Sequence, residues 1–230
     1  LHQVIEARMK AALNTFKDID ALWLFVDESA GEKAGEIDKS LAAFKFAQQK
    51  LKELAPSKTL LLGGWGVEEP LKNATDLGDS VLTSYGIYDP WLTVKEDRVG
   101  QLAGSSRPFA IAAWCEFDGR VLMGNQANVT AYEKLVESLH QSQALGYFFL
   151  QWNSRGCDSN LKYLEETNWS DTPLSAKSFY DNYFASRYGL KDDGARSALV
   201  DSYLDVEEVN KVLSLSHYSV ARMANNFESL

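Results

Sequence analysis

Two acidic residues at the ends of apolar runs are the strongest chemical signal in the sequence. Glu28 follows ALWLFV with Asp27 beside it, and Glu116 follows FAIAAWC. A pair of carboxyl groups can act as general acid and as nucleophile or general base when one stays protonated near neutral pH. Asp27 could raise the pKa of Glu28 by like-charge repulsion. Carboxylates after strands also often cap a helix or pair with arginine, so this structural interpretation stays open beside the catalytic one.

Tryptophans follow or end three of the apolar runs and could bind a sugar. An indole ring stacks on the C–H face of a pyranose while its N–H donates to a hydroxyl group. The three are Trp65, Trp114 and Trp152, and core packing is the alternative for each. Arg155 would suit a substrate carboxylate through two hydrogen bonds, or could hold Glu116 in place. The secondary sugar contacts that we predict are Tyr85, Gln126, Asn153 and Arg155.

The elements that must position these residues are five short, almost continuously apolar segments. Such segments are typical of strands that are buried on both faces of a parallel sheet. They lie at residues 21–27, 59–65, 80–86, 109–116 and 146–152. Between them, apolar residues at three- and four-residue steps predict helices over 36–54 and 128–145.

The remaining connections are predicted less regular, and the end of the chain is predicted helical. A proline in residues 68–79 indicates a brief helix or turn, and residues 87–107 are predicted to be mostly loop. After the fifth strand the alternation stops, and three helices are predicted over 159–167, 173–188 and 192–213. Residues 1–158 are therefore predicted to form a β/α barrel portion, with residues 159–230 as a helical extension packed on it.

The fold class predicted from this alternation is α/β, of the (β/α)8 TIM-barrel type. Functional-looking residues at the ends of several strands are typical of that barrel, and no strand is followed by GxGxxG or a phosphate-binding loop. If the fifth strand is the eighth of a barrel, this chain carries strands four to eight. Five strands cannot close a barrel, so the missing strands lie upstream, or the sheet is open and doubly wound.

Longer stretches resemble known glycoside hydrolases. Asp27-Glu28 at a strand end resembles the Asp-Glu pair of family 20 β-N-acetylhexosaminidases, in which the Glu is the acid and the Asp orients the acetamido group. AAWCEFDG with NQANV, and LQWNSRGCDSNLKYLEETNW with TPLSAKSFYDNYFASRYG, are similar to the strand-seven and strand-eight segments of bacterial relatives of that family and of the α-glucuronidases. The resemblance covers residues 105–190 best and implies a barrel fold with carboxylates at strands four and seven.

Composition restricts the classes of partner. The net charge is −9 without a basic stripe, which argues against nucleic-acid and anionic-membrane binding. No apolar run approaches the roughly 18 residues of a membrane span. The histidines lack metal-ligand spacing, and the two cysteines form no disulfide framework. We predict no metal and no cofactor, and a secreted or periplasmic location is favoured, with the signal region outside this chain.

Two functions from different classes follow as hypotheses. The first is hydrolysis of O-glycosyl bonds in an oligo- or polysaccharide that contains N-acetylhexosamine or uronic acid. Glu28 would be the acid/base, Glu116 the nucleophile or general base, and Asp27 their catalytic neighbour. The alternative is a carbohydrate-binding barrel fragment without catalysis. Either function would require the missing N-terminal barrel segment.

Overall fold

The structure is a computed structural model, and it describes most of the chain. The described residues are 1–26, 35–64, 66–87, 90–105, 107–115, 126–142, 144–150, 156–168, 170 and 172–215. For residues 84–87 the description covers the backbone only.

Strands alternate with helices through the first two thirds of the described residues. The strands are β1 Ala21–Val26, β2 Thr59–Gly64, β3 Val81–Ile87, β4 Phe109–Trp114 and β5 Tyr147–Leu150. The helices are α1 His2–Thr15, α2 Glu36–Leu54, α3 Glu68–Asn73, α4 Pro90–Lys95, α5 Arg98–Ala103, α6 Val129–Ser142, α7 Asp158–Thr167, α8 Ala176–Tyr188 and α9 Asp193–Leu215. The predicted α/β class is confirmed, and the five predicted strands are all present.

The described strands form one parallel sheet whose spatial order follows the chain order, β1-β2-β3-β4-β5. β1 pairs with β2 from Ala21 opposite Thr59 to Val26 opposite Gly64. β2 pairs with β3 in parallel, and backbone hydrogen bonds continue the sheet to β4 and β5. A doubly wound sheet reverses its strand order at a switch point. The described strands show no reversal, so the doubly wound alternative is wrong for this part of the chain.

Contacts divide the chain into two compact units. Unit 1 comprises residues 1–86, 101–112 and 144–148, and unit 2 comprises residues 87–100, 113–143 and 149–230. The predicted boundary between residues 158 and 159 stays a prediction.

The sheet is curled where it belongs to unit 1. The Trp23 ring on β1 meets the Phe148 ring on β5 edge to face, with centroids 4.9 Å apart. β1 and β5 are the first and last strands of the sheet. In a flat sheet, four strand spacings would separate them by about 19 Å. The Trp23 indole N–H also donates to Thr83 Oγ1 on β3, at 3.0 Å. Side chains of β1, β3 and β5 therefore meet over one concave face.

Apolar side chains of α2 and the central strands form the core of unit 1. α2 buries Phe44, Ala47 and Leu51 at three- and four-residue steps, as its amphipathic pattern predicts. Leu62 and Leu82 are each 1% exposed on β2 and β3. The continuous apolar run of β4 is explained by burial along its whole length. β1 and β5 are only partly buried, so the predicted burial on both faces is wrong for these two strands.

Aromatic residues dominate the core of unit 2. α8 buries Phe179, Tyr180 and Phe184, and their rings pack on one another. α8 begins after Ser175, whose Oγ accepts from the Ser178 amide, and it ends at Gly189 with φ 64°. These residues supply the N-terminal cap and the left-handed C-terminal residue that stop the helix at both ends.

The prediction that residues 87–107 are mostly loop is wrong. α4 and α5, six residues each, occupy most of that connection. Helices this short are not stable from propensity alone. Packing stabilises α4, because Trp91 is 3% exposed and contacts Ala131 of α6 and Leu215 of α9.

Candidate functional site

Several of the sequence-predicted site residues follow described strands within one or two positions. β1 ends at Val26, immediately before Asp27 and Glu28, and β2 ends at Gly64, immediately before Trp65. β4 ends at Trp114, two residues before Glu116. The carboxyl ends of parallel strands share one edge of a sheet. The strand bounds thus agree with the expectation that these residues lie near the carboxyl ends of strands.

Most of these side chains lie outside the described residues. Those outside are Asp27, Glu28, Trp65, Glu116, Trp152, Asn153 and Arg155. Tyr85 belongs to β3, and its backbone alone is described. Trp114 and Gln126 are the predicted site residues with described side chains, and the catalytic and binding roles of all ten stay predictions.

Trp114 and Gln126 are both buried in unit 2, at 5% and 2% exposure. The Trp114 carbonyl accepts a hydrogen bond of 2.6 Å from the Tyr132 hydroxyl of α6. The backbone N–H of Gln126 donates to the Gly156 carbonyl at 2.8 Å. Both side chains therefore lie in the core of unit 2.

Two neighbouring connections in unit 2 are joined at both ends. One runs from β4 to α6 and carries Glu116; the other runs from β5 to α7 and carries Trp152, Asn153 and Arg155. Where they begin, the Cys115 amide donates to the Leu150 carbonyl at 2.9 Å. Where they end, the Gln126–Gly156 hydrogen bond links them again. The predicted acid and the predicted sugar contacts thus belong to connections whose ends are fixed to each other.

Asn160 of α7 joins the two ends of the β4–α6 connection. Its side chain is fully buried, at 0% exposure. Its Nδ2 donates to the carbonyls of Cys115 and Gln126 at 2.9 and 2.8 Å. Its Oδ1 accepts from the Asn128 amide at 2.8 Å. One side-chain amide therefore hydrogen-bonds to three buried backbone groups, and the Gln126 carbonyl also accepts from Asn128 Nδ2 at 2.7 Å.

The buried carboxyl group of Glu207 fixes the start of α6. It accepts from the amides of Val129 and Thr130 at 2.6 and 2.9 Å, and from the Tyr180 hydroxyl. Amides in the first turn of a helix lack intrahelical partners and favour a negative charge. Burial nevertheless raises the pKa of Glu207 above its ordinary value, and these hydrogen bonds only partly oppose it.

Two further contacts hold the segment before α6. The Trp91 indole N–H donates to Asn128 Oδ1 at 2.9 Å, and Asn210 Nδ2 donates to the Ala127 carbonyl at 2.9 Å. The ammonium groups of Lys134 and Lys211 lie 5.5 and 5.2 Å from the Trp91 ring centroid. Side chains of α4, α7 and α9 consequently form hydrogen bonds with residues 127–129.

Glu207 and Asn210 were not predicted from the sequence to hold the segment before α6. A signal appears once the buried face of α9 is known, because the polar residues Glu207, Asn210 and Ser214 share that face with Val200. Asn160 likewise shares a buried stripe of α7 with Tyr163 and Leu164. Polar residues at core positions of an amphipathic helix indicate a buried hydrogen-bond network.

Other chemistry is limited within the described residues. They contain no group of three His, Cys, Asp or Glu side chains that could hold a metal ion. Cys115 and Cys157 are both buried and are not joined by a disulfide bond. No helix in the described ranges is long and apolar enough to cross a membrane.

Comparison of the chain with family models, with curated proteins and with solved structures found no match.

Proposed function

We propose that this chain carries strands four to eight of a (β/α)8 barrel, and that the protein hydrolyses O-glycosyl bonds. One observation carries the proposal: acidic and aromatic residues directly follow strands of a curled, parallel sheet whose order is sequential. Sequential order and curling are expected of barrel strands, and barrel enzymes carry their active sites on the connections after the strands.

The proposed reaction uses two carboxyl groups. Glu28 protonates the leaving oxygen as general acid, and Glu116 acts as nucleophile or as general base toward water. Asp27 disfavours ionisation of Glu28 through its like charge. Retention requires a separation of about 5–5.5 Å between the two carboxyl groups, and inversion about 6.5–9.5 Å.

The proposed substrate is an oligo- or polysaccharide that contains N-acetylhexosamine or uronic acid. Trp65, Trp114 and Trp152 would stack on pyranose rings. Arg155 would bind a uronic acid carboxylate through two parallel hydrogen bonds. Tyr85, Gln126 and Asn153 complete the proposed set of sugar contacts.

The proposal includes an upstream segment that completes the barrel. β1 lies at one end of the strand order, so one of its edges has no strand partner among the described residues. A cavity of about 740 Å³, lined by side chains of α1, β1 and α2, lies beside this strand in unit 1. Its lining is mostly apolar and includes Leu22, Leu24 and Val26. Upstream barrel strands would pair with the β1 edge and fill this apolar space.

Substitution of each proposed catalytic carboxylate tests the activity. In the full-length protein, Glu28→Gln and Glu116→Gln should each lower kcat by about 100-fold or more. The measurement is turnover of nitrophenyl glycosides of N-acetylhexosamines and of uronic acids. Glu165→Gln is the matched control, because Glu165 pairs with Lys162 on the surface of α7, and it should keep the wild-type rate.

The outcomes separate the two classes of function. Near-normal rates in both Gln variants would overturn the assignment of Glu28 and Glu116. Binding of these sugars without turnover by the wild-type protein would instead favour the carbohydrate-binding alternative.

A further inference from the structure

The side-chain orientation of Asn160 is determined by its partners. Nδ2 faces two carbonyl oxygens, and Oδ1 faces a backbone amide. An amide turned over by 180° would place its oxygen against two acceptors and its NH2 against a donor. Only an uncharged group with a donor and an acceptor in this arrangement satisfies all three backbone groups. Aspartate, which has the same size, is an acceptor only when ionised.

The hydrogen bonds of Asn160 connect residues that are distant in the chain but bracket one connection. Cys115 precedes residues 116–125, and Gln126 and Asn128 follow them. A bond at one end alone would fix only the start or the finish of this connection. Because one rigid amide bonds to both ends, the ends cannot separate without breaking buried hydrogen bonds.

Both polar backbone atoms of Cys115, the residue before Glu116, take part in hydrogen bonds. The Cys115 amide donates to Leu150, and the Cys115 carbonyl accepts from Asn160. That carbonyl belongs to the planar peptide group shared with residue 116. Asn160 and β5 therefore hold the backbone of Cys115, the last described residue before Glu116.

We propose that Asn160 is a positioning residue for Glu116 in the glycoside hydrolysis proposed above, on which this inference rests. It does not contact the sugar. It closes the base of the β4–α6 connection and so fixes the placement of the carboxyl group that this connection carries. A misplacement of about 1 Å at a reacting group can lower a rate by about 100-fold.

Hydrogen exchange tests the closure without any substrate. In the wild-type full-length protein, the Asn128 amide should exchange as slowly as the core amides of α6, because exchange requires opening of the buried network. In Asn160→Asp, amides of residues 126–128 should exchange roughly tenfold faster or more, while those of α2 in unit 1 stay unchanged. Fast exchange of Asn128 in the wild type would overturn the proposal even if no variant folds.

Kinetics test the positioning role. Asn160→Asp should lower kcat on a dinitrophenyl glycoside by about 10- to 100-fold with little change in KM. Gln48→Ala is the matched control, because Gln48 is also a buried side-chain amide but donates to Asp79 in unit 1, and it should keep kcat within about twofold. Equal losses of kcat in the two variants would overturn the proposal.

A double variant separates positioning from a simple loss of folded protein. If Asn160 acts through Glu116, Asn160→Asp should cause no further loss in a Glu116→Gln background. Partial unfolding would instead reduce the rate by the same factor in both backgrounds, and that result would contradict the proposal. Wild-type rates in Glu116→Gln alone would refute the proposed function, while the hydrogen-exchange result on Asn160 would stand by itself.

Discussion

Glu207 shows how much a single side chain contributes to the base of the candidate site. Its carboxyl group is 1% exposed and accepts hydrogen bonds from Val129, Thr130 and Tyr180. The two amides open α6, and the Tyr180 hydroxyl comes from α8. Burial of a carboxylate favours its neutral form and therefore raises its pKa, which makes this contact sensitive to pH.

The pH dependence of Glu207 has a definite sign. Because its pKa in the folded protein is raised above the ordinary value of 4.5, its contribution to stability is full below about pH 4.5 and is lost as pH rises through the raised pKa. We expect the free energy of unfolding of the wild type, relative to Glu207→Gln, to fall over that range. Urea unfolding at several pH values measures it.

A control variant identifies the source of this pH dependence. Glu165→Gln, which removes an exposed carboxylate instead of a buried one, is measured beside Glu207→Gln as the control. If the wild-type advantage over Glu207→Gln instead grew as pH rose from about 4.5 to 7, the raised pKa of Glu207 would be contradicted.

Residue types and spacing could name candidate catalytic groups but not the residues that hold the backbone beneath them. Glu116 is conspicuous because it follows an apolar run. Asn160 and Glu207 lie within helices and resemble ordinary surface residues until the buried face of each helix is known. Their partners are backbone groups, which no sequence pattern specifies.

Among the elements, the contact of β2 with β3 depends on a residue without a side chain. A Cβ at Gly63 would lie 2.0 Å from Thr83 Oγ1 and 2.7 Å from the Thr83 carbonyl oxygen. Thr83 is fully buried, donates to the Leu62 carbonyl and accepts from the Trp23 indole. Because Gly63 of β2 has no side chain, Thr83 of β3 can occupy the position in which it accepts the hydrogen bond from Trp23 of β1.

Gly63→Ala should lower the free energy of unfolding by about 1–3 kcal/mol, because the added methyl group overlaps Thr83 in a packed sheet. Thermal or urea unfolding measures this change. Gly194→Ala is the matched control, since Gly194 is exposed in α9 with only an ordinary contact to Asp192, and it should be neutral or stabilising by up to about 1 kcal/mol. Equal stability of Gly63→Ala and the wild type would contradict the packing described for β2.

The strands and the long helices were predictable because their apolar patterns are strong. The predicted helix over residues 36–54 coincides with α2, and each predicted strand begins or ends within a few residues of its position in the structure. The connection over residues 87–107 was not predictable in the same way. Its helix α4 depends on packing of Trp91 against α6 and α9, which local sequence does not encode.

For the whole molecule, the central claim is a pair of carboxylates at the carboxyl edge of a barrel sheet. The sequential strand order and the Trp23–Phe148 contact support the barrel proposal. Glu28 follows β1 and Glu116 follows β4, three positions along the same strand order. Strands that follow each other around a barrel direct the residues after them toward one central site.

The most direct measurement is the distance between the carboxyl groups of Glu28 and Glu116 in a crystal structure of the full-length protein. We predict a separation of about 5–9.5 Å, on one side of the sheet edge, with Trp65 and Trp152 facing the space between them. A separation well beyond about 10 Å, or carboxyl groups on opposite faces of the sheet, would contradict the two-carboxylate mechanism.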